Sequence, residues 1–276
     1  MILFPNCKIN LGLSVLGKRA DGFHDLETVF YPLPLTDVVE VTSAPHDEAE
    51  SISFTTSGLP VPGDPQDNLC VKAYNLLKEG FPLLPSIQMH LHKIIPMGAG
   101  LGGGSADGAC ALRLIHDLFN LQLTTNQLIQ YAARLGSDCP FFVLNQPCMA
   151  RGRGEILEEI NINLEDYRFV LVCPGIHINT GWAFSQLARQ LPGRPAVPVQ
   201  NAIRQPVEAW KEVLVNDFEK PVFQHHPAIK KIKDSLYEQG ALYASMSGSG
   251  SALFGIFSRD KMPAPAVWKE YTTYFL

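Results

Sequence analysis

The chain has 276 residues, 46% of them apolar and 18% charged, a balance that suits one large domain or two compact lobes with a real core. Its formal net charge of −5 supplies no basic stripe to match a phosphate backbone, so a nucleic-acid-binding protein is not expected. The opening Met1-Ile-Leu-Phe-Pro5 has no charged leader and no stretch approaches about 18 consecutive apolar residues, which argues against a secretion signal and a membrane span.

Ile9, Leu11, Leu13 and Val15 alternate with Lys8, Asn10, Gly12 and Ser14, predicting a half-buried strand. Gly17–Gly22 reads as a turn, and strands are expected near Glu27–Tyr31, Val38–Thr42 and Ile52–Phe54. Asp67 is a plausible N-cap for a helix over Leu69–Lys78 that stops at Gly80. Ile87, Met89 and Leu91 then alternate with polar residues in a strand that leads into Pro96-Met97-Gly98-Ala99-Gly100-Leu101-Gly102-Gly103-Gly104-Ser105-Ala106.

Beyond Ser105, the spacing of Ala109, Leu112, Ile115, Leu118 and Phe119 predicts a helix with one buried face. A second helix is expected over Asn126–Leu135, capped by Thr125 and closed by Gly136. Strands follow near Phe141–Leu144 and Phe169–Cys173, and a helix after Thr180. Proline-rich Pro192–Pro206 reads as a loop, and helices near Val207–Val215 and Ala228–Gln239 precede two strands joined by a Gly/Ser turn, the second over Leu253–Phe257. Mixed strands and helices point to an α+β protein of two lobes. The six cysteines are scattered without a CxxC pair, as reduced thiols of a cytoplasmic protein would be.

The chemistry starts from the glycine loop. Glycine allows positive φ and has no Cβ to hold a phosphate away, and the amides and dipole of the following helix favour an anion. The loop is not a Walker A motif, since Gly104 stands where that motif needs lysine. It also fits a dinucleotide fingerprint, but the nearest downstream acid, Asp117, falls inside a predicted helix. From the loop alone the ligand is a phosphate of unspecified parentage.

Three separated motifs decide more. They are Lys8-Ile-Asn-Leu-Gly-Leu13 with Gly17-Lys-Arg-Ala-Asp-Gly-Phe-His24 and Leu26-Glu-Thr28, the glycine loop, and Met246-Ser-Gly-Ser-Gly-Ser-Ala-Leu-Phe-Gly255. Asp67-Asn-Leu69, Leu135-Gly-Ser-Asp-Cys-Pro140, Gly152-Arg-Gly-Glu155 and Asn216-Asp-Phe-Glu219 lie between them in the expected order. Together these resemble the GHMP kinase superfamily over nearly the whole chain. The closest branch phosphorylates a sugar alcohol carrying cytidine diphosphate.

The resemblance implies a two-lobed GHMP kinase fold, with a ribosomal-protein-S5-like N-terminal lobe over 1–150 and a ferredoxin-like C-terminal lobe over 151–276. ATP and the acceptor would meet between the lobes, with Mg2+ required. It implies transfer of the γ-phosphate to the 2-hydroxyl of diphosphocytidyl-methylerythritol, a step toward isoprenoid precursors, in a cytoplasmic monomer or weak homodimer. Pro96–Ala106 would cradle ATP.

Asp138 matches the catalytic aspartate and Lys8 the catalytic lysine; the bland readings are an Asx-turn residue and a solvated strand-edge charge. Ser105 would donate to a phosphate or ligate magnesium, and also suits a helix N-cap. Asn10 would hydrogen-bond acceptor hydroxyls, Phe23, His24 and Phe184 would hold the cytosine, and Thr180 would contact the acceptor. Phe23 stands where tyrosine is commoner, losing one phenol hydrogen bond. Cys7 and Gly108 replace alanines, with little change expected. His90 and His92 share a strand face but lack a third ligand, so surface or packing histidines are favoured over a metal site. Other readings left open are a mevalonate, homoserine or galactose kinase, a non-catalytic nucleotide binder, and a dehydrogenase.

Overall fold

The computed structural model describes residues 1–44, 51–188 and 197–276. In chain order the strands and helices are β1 (Ile2–Leu3), β2 (Asn6–Lys18), β3 (His24–Thr36), β4 (Val38–Ser43), β5 (Ile52–Gly58), α1 (Leu69–Gly80), β6 (Ile87–Lys93), α2 (Gly103–Phe119), α3 (Thr125–Leu135) and α4 (Cys139–Leu144). They continue as β7 (Cys148–Gly152), β8 (Ile156–Glu159), β9 (Tyr167–Cys173), α5 (Thr180–Ala188), α6 (Val199–Ala202), α7 (Trp210–Val213), α8 (Glu219–His225), α9 (Pro227–Glu238), β10 (Tyr243–Met246), β11 (Leu253–Ser258) and β12 (Thr272–Phe275).

The chain packs as two units that interleave in sequence. The first comprises Met1–Cys7, Pro34–Met97 and Gly102–Gln146; the second comprises Lys8–Leu33, Gly98–Leu101 and Pro147–Leu276. This differs from one cut near residue 150, since β2 and β3 lie mainly in the second unit.

The first unit holds a sheet of order β1-β4-β6-β5, antiparallel except for the parallel β5–β6 pair. Period-two burial of Ile87, Met89 and Leu91 faces Ala73, Tyr74 and Leu77 of α1 and Ala109, Leu112 and Ile115 of α2 in one apolar cluster. The second unit contains two sheets, β2-β3-β7-β8 and β10-β11-β9-β12. Its core joins Val170, Val172, Leu253 and Phe257 to Ile229, Ile232 and Leu236 of α9.

Several expectations change. β2 is buried on both faces from Cys7 to Val15, so Lys8 (3% exposed) and Asn10 (2%) are interior polar groups and not solvated edge residues. Asn68, one residue beyond Asp67, caps α1 by accepting from the Cys70 amide at 2.9 Å. Thr124, not Thr125, caps α3 in a reciprocal box with Gln127. Phe141–Leu144 is helical: Pro140 in the first turn favours a helix start, and Asn145 closes the helix in the left-handed region at φ 52°. Of the proposed loop Pro192–Pro206, positions 192–196 lie outside the described residues and Val199–Ala202 forms a helical turn. Gly108 is not interchangeable with alanine here, because an added Cβ would stand 2.8 Å from the Leu69 Cβ.

Candidate active site

In the second unit, β2 delivers Lys8 and Asn10 to the middle of the glycine loop. The Lys8 amide donates to the Leu101 carbonyl at 2.9 Å, while its Nζ donates to Asn10 Oδ1 at 2.7 Å and stands 4.6 Å from the centre of the Phe30 ring. Asn10 Nδ2 donates to Thr28 Oγ1 at 3.0 Å, and Thr28 in turn donates to the Gly12 carbonyl. A buried lysine is tolerated when its donors are matched in this way.

The Gly/Ser turn after β10 meets the same segment. Ser247 Oγ donates to the Gly100 carbonyl at 2.8 Å and lies 3.5 Å from Asn10 Oδ1; the Ala252 amide donates to the Ala99 carbonyl at 3.0 Å. Gly100 has φ +81°, and a Cβ there would fall 2.0 Å from the Ser247 carbonyl oxygen. Only glycine satisfies both conditions. Asn216 shapes the turn from beneath, donating to the carbonyls of Met246 (2.7 Å) and Gly248 (2.9 Å).

In the first unit the other part of the loop begins α2. Gly102 is its left-handed N-cap at φ 72°, and the first helical bond runs from the Ala106 amide to the Gly102 carbonyl at 2.9 Å. The amides of Gly103, Gly104 and Ser105 therefore stand outside the helical ladder, at the positive end of a 17-residue helix. Among the described residues, a Cβ on Gly104 would meet no atom within 4 Å beyond the local helix backbone. Ser105 is the third residue of the helix, not its cap. Its side chain hydrogen-bonds the Cys139 sulfur, whose thiol is pushed up to about 12 chiefly by burial. Asp138, next in the chain to Cys139, directly precedes α4. Pro96 enters the loop from β6, and half-exposed Met97 lines a cavity of about 250 Å³ together with Phe54, Val61, Asn68, Leu69 and Gly104.

The residues expected around the acceptor divide. The His24 imidazole stacks directly on Phe184, with centroids 4.5 Å apart and planes at 15°, and Phe184 meets Phe218 edge-on at 4.9 Å. Rings this close leave no space for a base between them, so a sandwiched cytosine requires the pair to part. Burial, and secondarily the charge of Lys18, lowers the His24 pKa and favours a neutral ring. Phe23 is 54% exposed and stands apart from that pair, with the Arg153 guanidinium 4.9 Å above its ring. Thr180 Oγ1 lies 3.0 Å from Ser249 Oγ, at the Gly/Ser turn.

Among the described residues no cluster of three His, Cys, Asp or Glu side chains could hold a metal ion. His90 and His92 are partly exposed and engaged with the hydroxyls of Thr55 and Ser57 at 2.8–2.9 Å. Ser247 stood inside the third motif without an assigned role, and a buried group behind α2 formed by Asp37, Lys93 and Asp107 was not foreseen. The only cue to that group was a charged residue at an otherwise apolar strand or helix position.

The models for the GHMP kinases N terminal domain and the GHMP kinases C terminal domain match residues 68–146 and 199–275. The chain is 49% identical over 261 residues to a Bacteroides fragilis 4-diphosphocytidyl-2-C-methyl-D-erythritol kinase, covering 95% of this chain and 93% of that one. The chain belongs to the GHMP kinase family.

A Parabacteroides distasonis kinase of the same name is 45% identical, covering 99% of this chain and 96% of the relative. A crystal structure of a 4-(cytidine 5'-diphospho)-2C-methyl-D-erythritol kinase superposes with TM-score 0.82 at 28% identity, covering 100% of this chain and 98% of that one. Mevalonate kinase from Methanococcus jannaschii shares the fold alone, with TM-score 0.73 and 14% identity over 100% of this chain and 97% of that one. The GHMP kinase fold is thus two-lobed α+β, and mevalonate and homoserine kinase readings are not favoured. No helix of the described residues is long and apolar enough to cross a membrane.

Proposed function

We propose that this GHMP kinase transfers the γ-phosphate of ATP to the 2-hydroxyl of 4-diphosphocytidyl-2-C-methyl-D-erythritol, yielding the 2-phosphate and ADP on the methylerythritol phosphate route to isoprenoid precursors. The observation that carries the reading is the bond from the Lys8 amide to the Leu101 carbonyl, which fixes a buried ammonium against the glycine loop. Phosphoryl transfer needs positioned donors and neutralised charge more than covalent chemistry.

In this reading Pro96–Ala106 holds the ATP phosphates through backbone amides, and the apolar cavity beside Met97 and Leu69 takes the base. Lys8 stabilises negative charge growing on the acceptor oxygen, Asp138 accepts its proton, and Asn10 orients the acceptor. Phe23, His24, Thr180 and Phe184 hold its cytidine end. Ser105 is the one loop side chain suited to magnesium, an ion that commonly keeps phosphate and water ligands; when bound it supplies charge neutralisation. The enzyme works as a cytoplasmic monomer or weak homodimer, without nucleic-acid or membrane partners.

The test is a substrate panel with ATP, with ADP release as the readout and phosphorus NMR on the product. The cytidine substrate is expected to turn over and gain a 2-phosphate. Turnover of mevalonate or homoserine with none of the cytidine compound sinks the assignment.

A further inference from the structure

Behind the first turn of α2, three charged side chains meet in the interior of the first unit. Lys93 Nζ donates to Asp107 Oδ2 at 2.7 Å and also to Asp37 Oδ2, with the lysine and Asp37 side chains fully buried and that of Asp107 3% exposed. Asp37 Oδ1 accepts from the amides of Ile94 at 2.5 Å and Ile95 at 2.8 Å. Those are the last residues before Pro96. Lys93 Nζ also lies 3.0 Å from where a Cβ on Gly103 would be.

Two explanations compete. An ammonium flanked by two buried carboxylates has no net positive charge to offer a phosphate, so this lysine does not replace the missing Walker lysine. As a source of stability the group is weak too, because the desolvation cost of buried ion pairs offsets most of their attraction. What it does possess is geometry. One carboxylate fixes the backbone entering the loop, the other is on the helix leaving it, and the ammonium joins them.

We infer that Lys93, held between Asp37 and Asp107, is a positioning residue for phosphoryl transfer, fixing the two ends of the glycine loop so that its amides face the nucleotide phosphates. This rests on the reading of the loop as the phosphate site. A side chain at Gly103 would crowd the same group, since its Cβ would stand 2.9 Å from Ile95 Cγ2 and 3.0 Å from Lys93 Nζ. Among the described residues Asp107 Oδ1 has no hydrogen-bond partner, while Oδ2 accepts from Lys93.

The experiment compares Asp107→Ala with Asp107→Asn in the full chain. Hydrogen exchange of loop residues 96–106 is followed with and without ADP, alongside nucleotide affinity and the KM and kcat for ATP. Asp107→Ala breaks the bridge to the helix, so loop exchange accelerates in the free enzyme and nucleotide affinity falls roughly tenfold to a hundredfold. Asp107→Asn keeps an acceptor for Lys93 and restores both. The acceptor KM stays unchanged in each.

Lys93→Met combined with Asp107→Asn removes the ammonium while Asp37 keeps its two amide donors, and it should behave like Asp107→Ala. Were Asp107→Ala to misfold, this pair decides the matter. Folded variants with parental loop exchange and nucleotide affinity overturn the inference. If ADP fails to protect residues 96–106 in the parent enzyme, the loop reading itself is what fails.

Discussion

The main-chain amide of Lys8 donates to the carbonyl of Leu101, 93 residues away, over 2.9 Å. A strand near the N-terminus thereby fixes the middle of the glycine loop, and the side chain of the same residue turns to Asn10. One residue supplies both backbone order and charge, and substitution separates the two. Lys8→Met keeps the amide and the apolar stem but loses the ammonium. Turnover is expected to fall roughly 10²–10³-fold, as for loss of one electrostatic stabiliser, with little change in melting temperature. Near-normal kcat would remove Lys8 from the reaction.

Asp138→Asn tests the proton acceptor. The amide is isosteric and should leave the start of α4 intact, so ATP affinity stays near parental while kcat drops roughly 10²–10⁴-fold. Steady-state kinetics with titration of a non-hydrolysable ATP analogue separates the two quantities. Retained turnover would assign proton transfer elsewhere.

Gly104→Ala and Gly100→Ala discriminate ligand space from folding space. Among the described residues no atom outside the local helix backbone lies within 4 Å of a Cβ at Gly104, so that variant should melt like the parent yet bind ATP roughly tenfold more weakly, a loss of about 1.4 kcal/mol. Gly100→Ala meets the Ser247 carbonyl at positive φ and should lower stability by about 1–3 kcal/mol before any ligand is added. Denaturant melts and calorimetry check both. Unchanged ATP affinity in Gly104→Ala would place the phosphates away from α2.

His24→Ala is expected to raise the acceptor KM several-fold while leaving the KM for ATP alone. The folded ring binds a proton less readily than the unfolded chain, whose reference value is 6.5. Any stability His24 contributes is therefore present above that value and lost as the pH falls through the lower folded pKa. Acceptor KM measured from pH 8 down to 5.5 should be flat at first and rise only at the acidic end. A rise centred on neutral pH would mean that the ring is charged when it binds.

The sequence was most legible where periodicity and function coincide. Alternation in β2 and β6 and the buried stripe of α2 located three elements flanking the loop, and ordered motifs named its family. It was least legible where a short apolar run had to be assigned by composition. Phe141–Leu144 looked like a strand because aromatic and β-branched residues favour strands, yet Pro140 and the fit of α4 against α2 and α3 selected a helix. The box between Thr124 and Gln127 is readable from its spacing, a threonine three residues before a glutamine. Asp37, Lys93 and Asp107 were not readable. No local pattern signals that charges from three distant segments will neutralise one another inside a core.

The hold of Ser247 on Gly100 bears on how such a loop can be transplanted. Its curvature is imposed by a second segment nearly 150 residues downstream, so residues 96–106 moved alone into another scaffold would relax into a different shape. A chimera that carries both stretches, or neither, is the smallest exchange that respects the architecture.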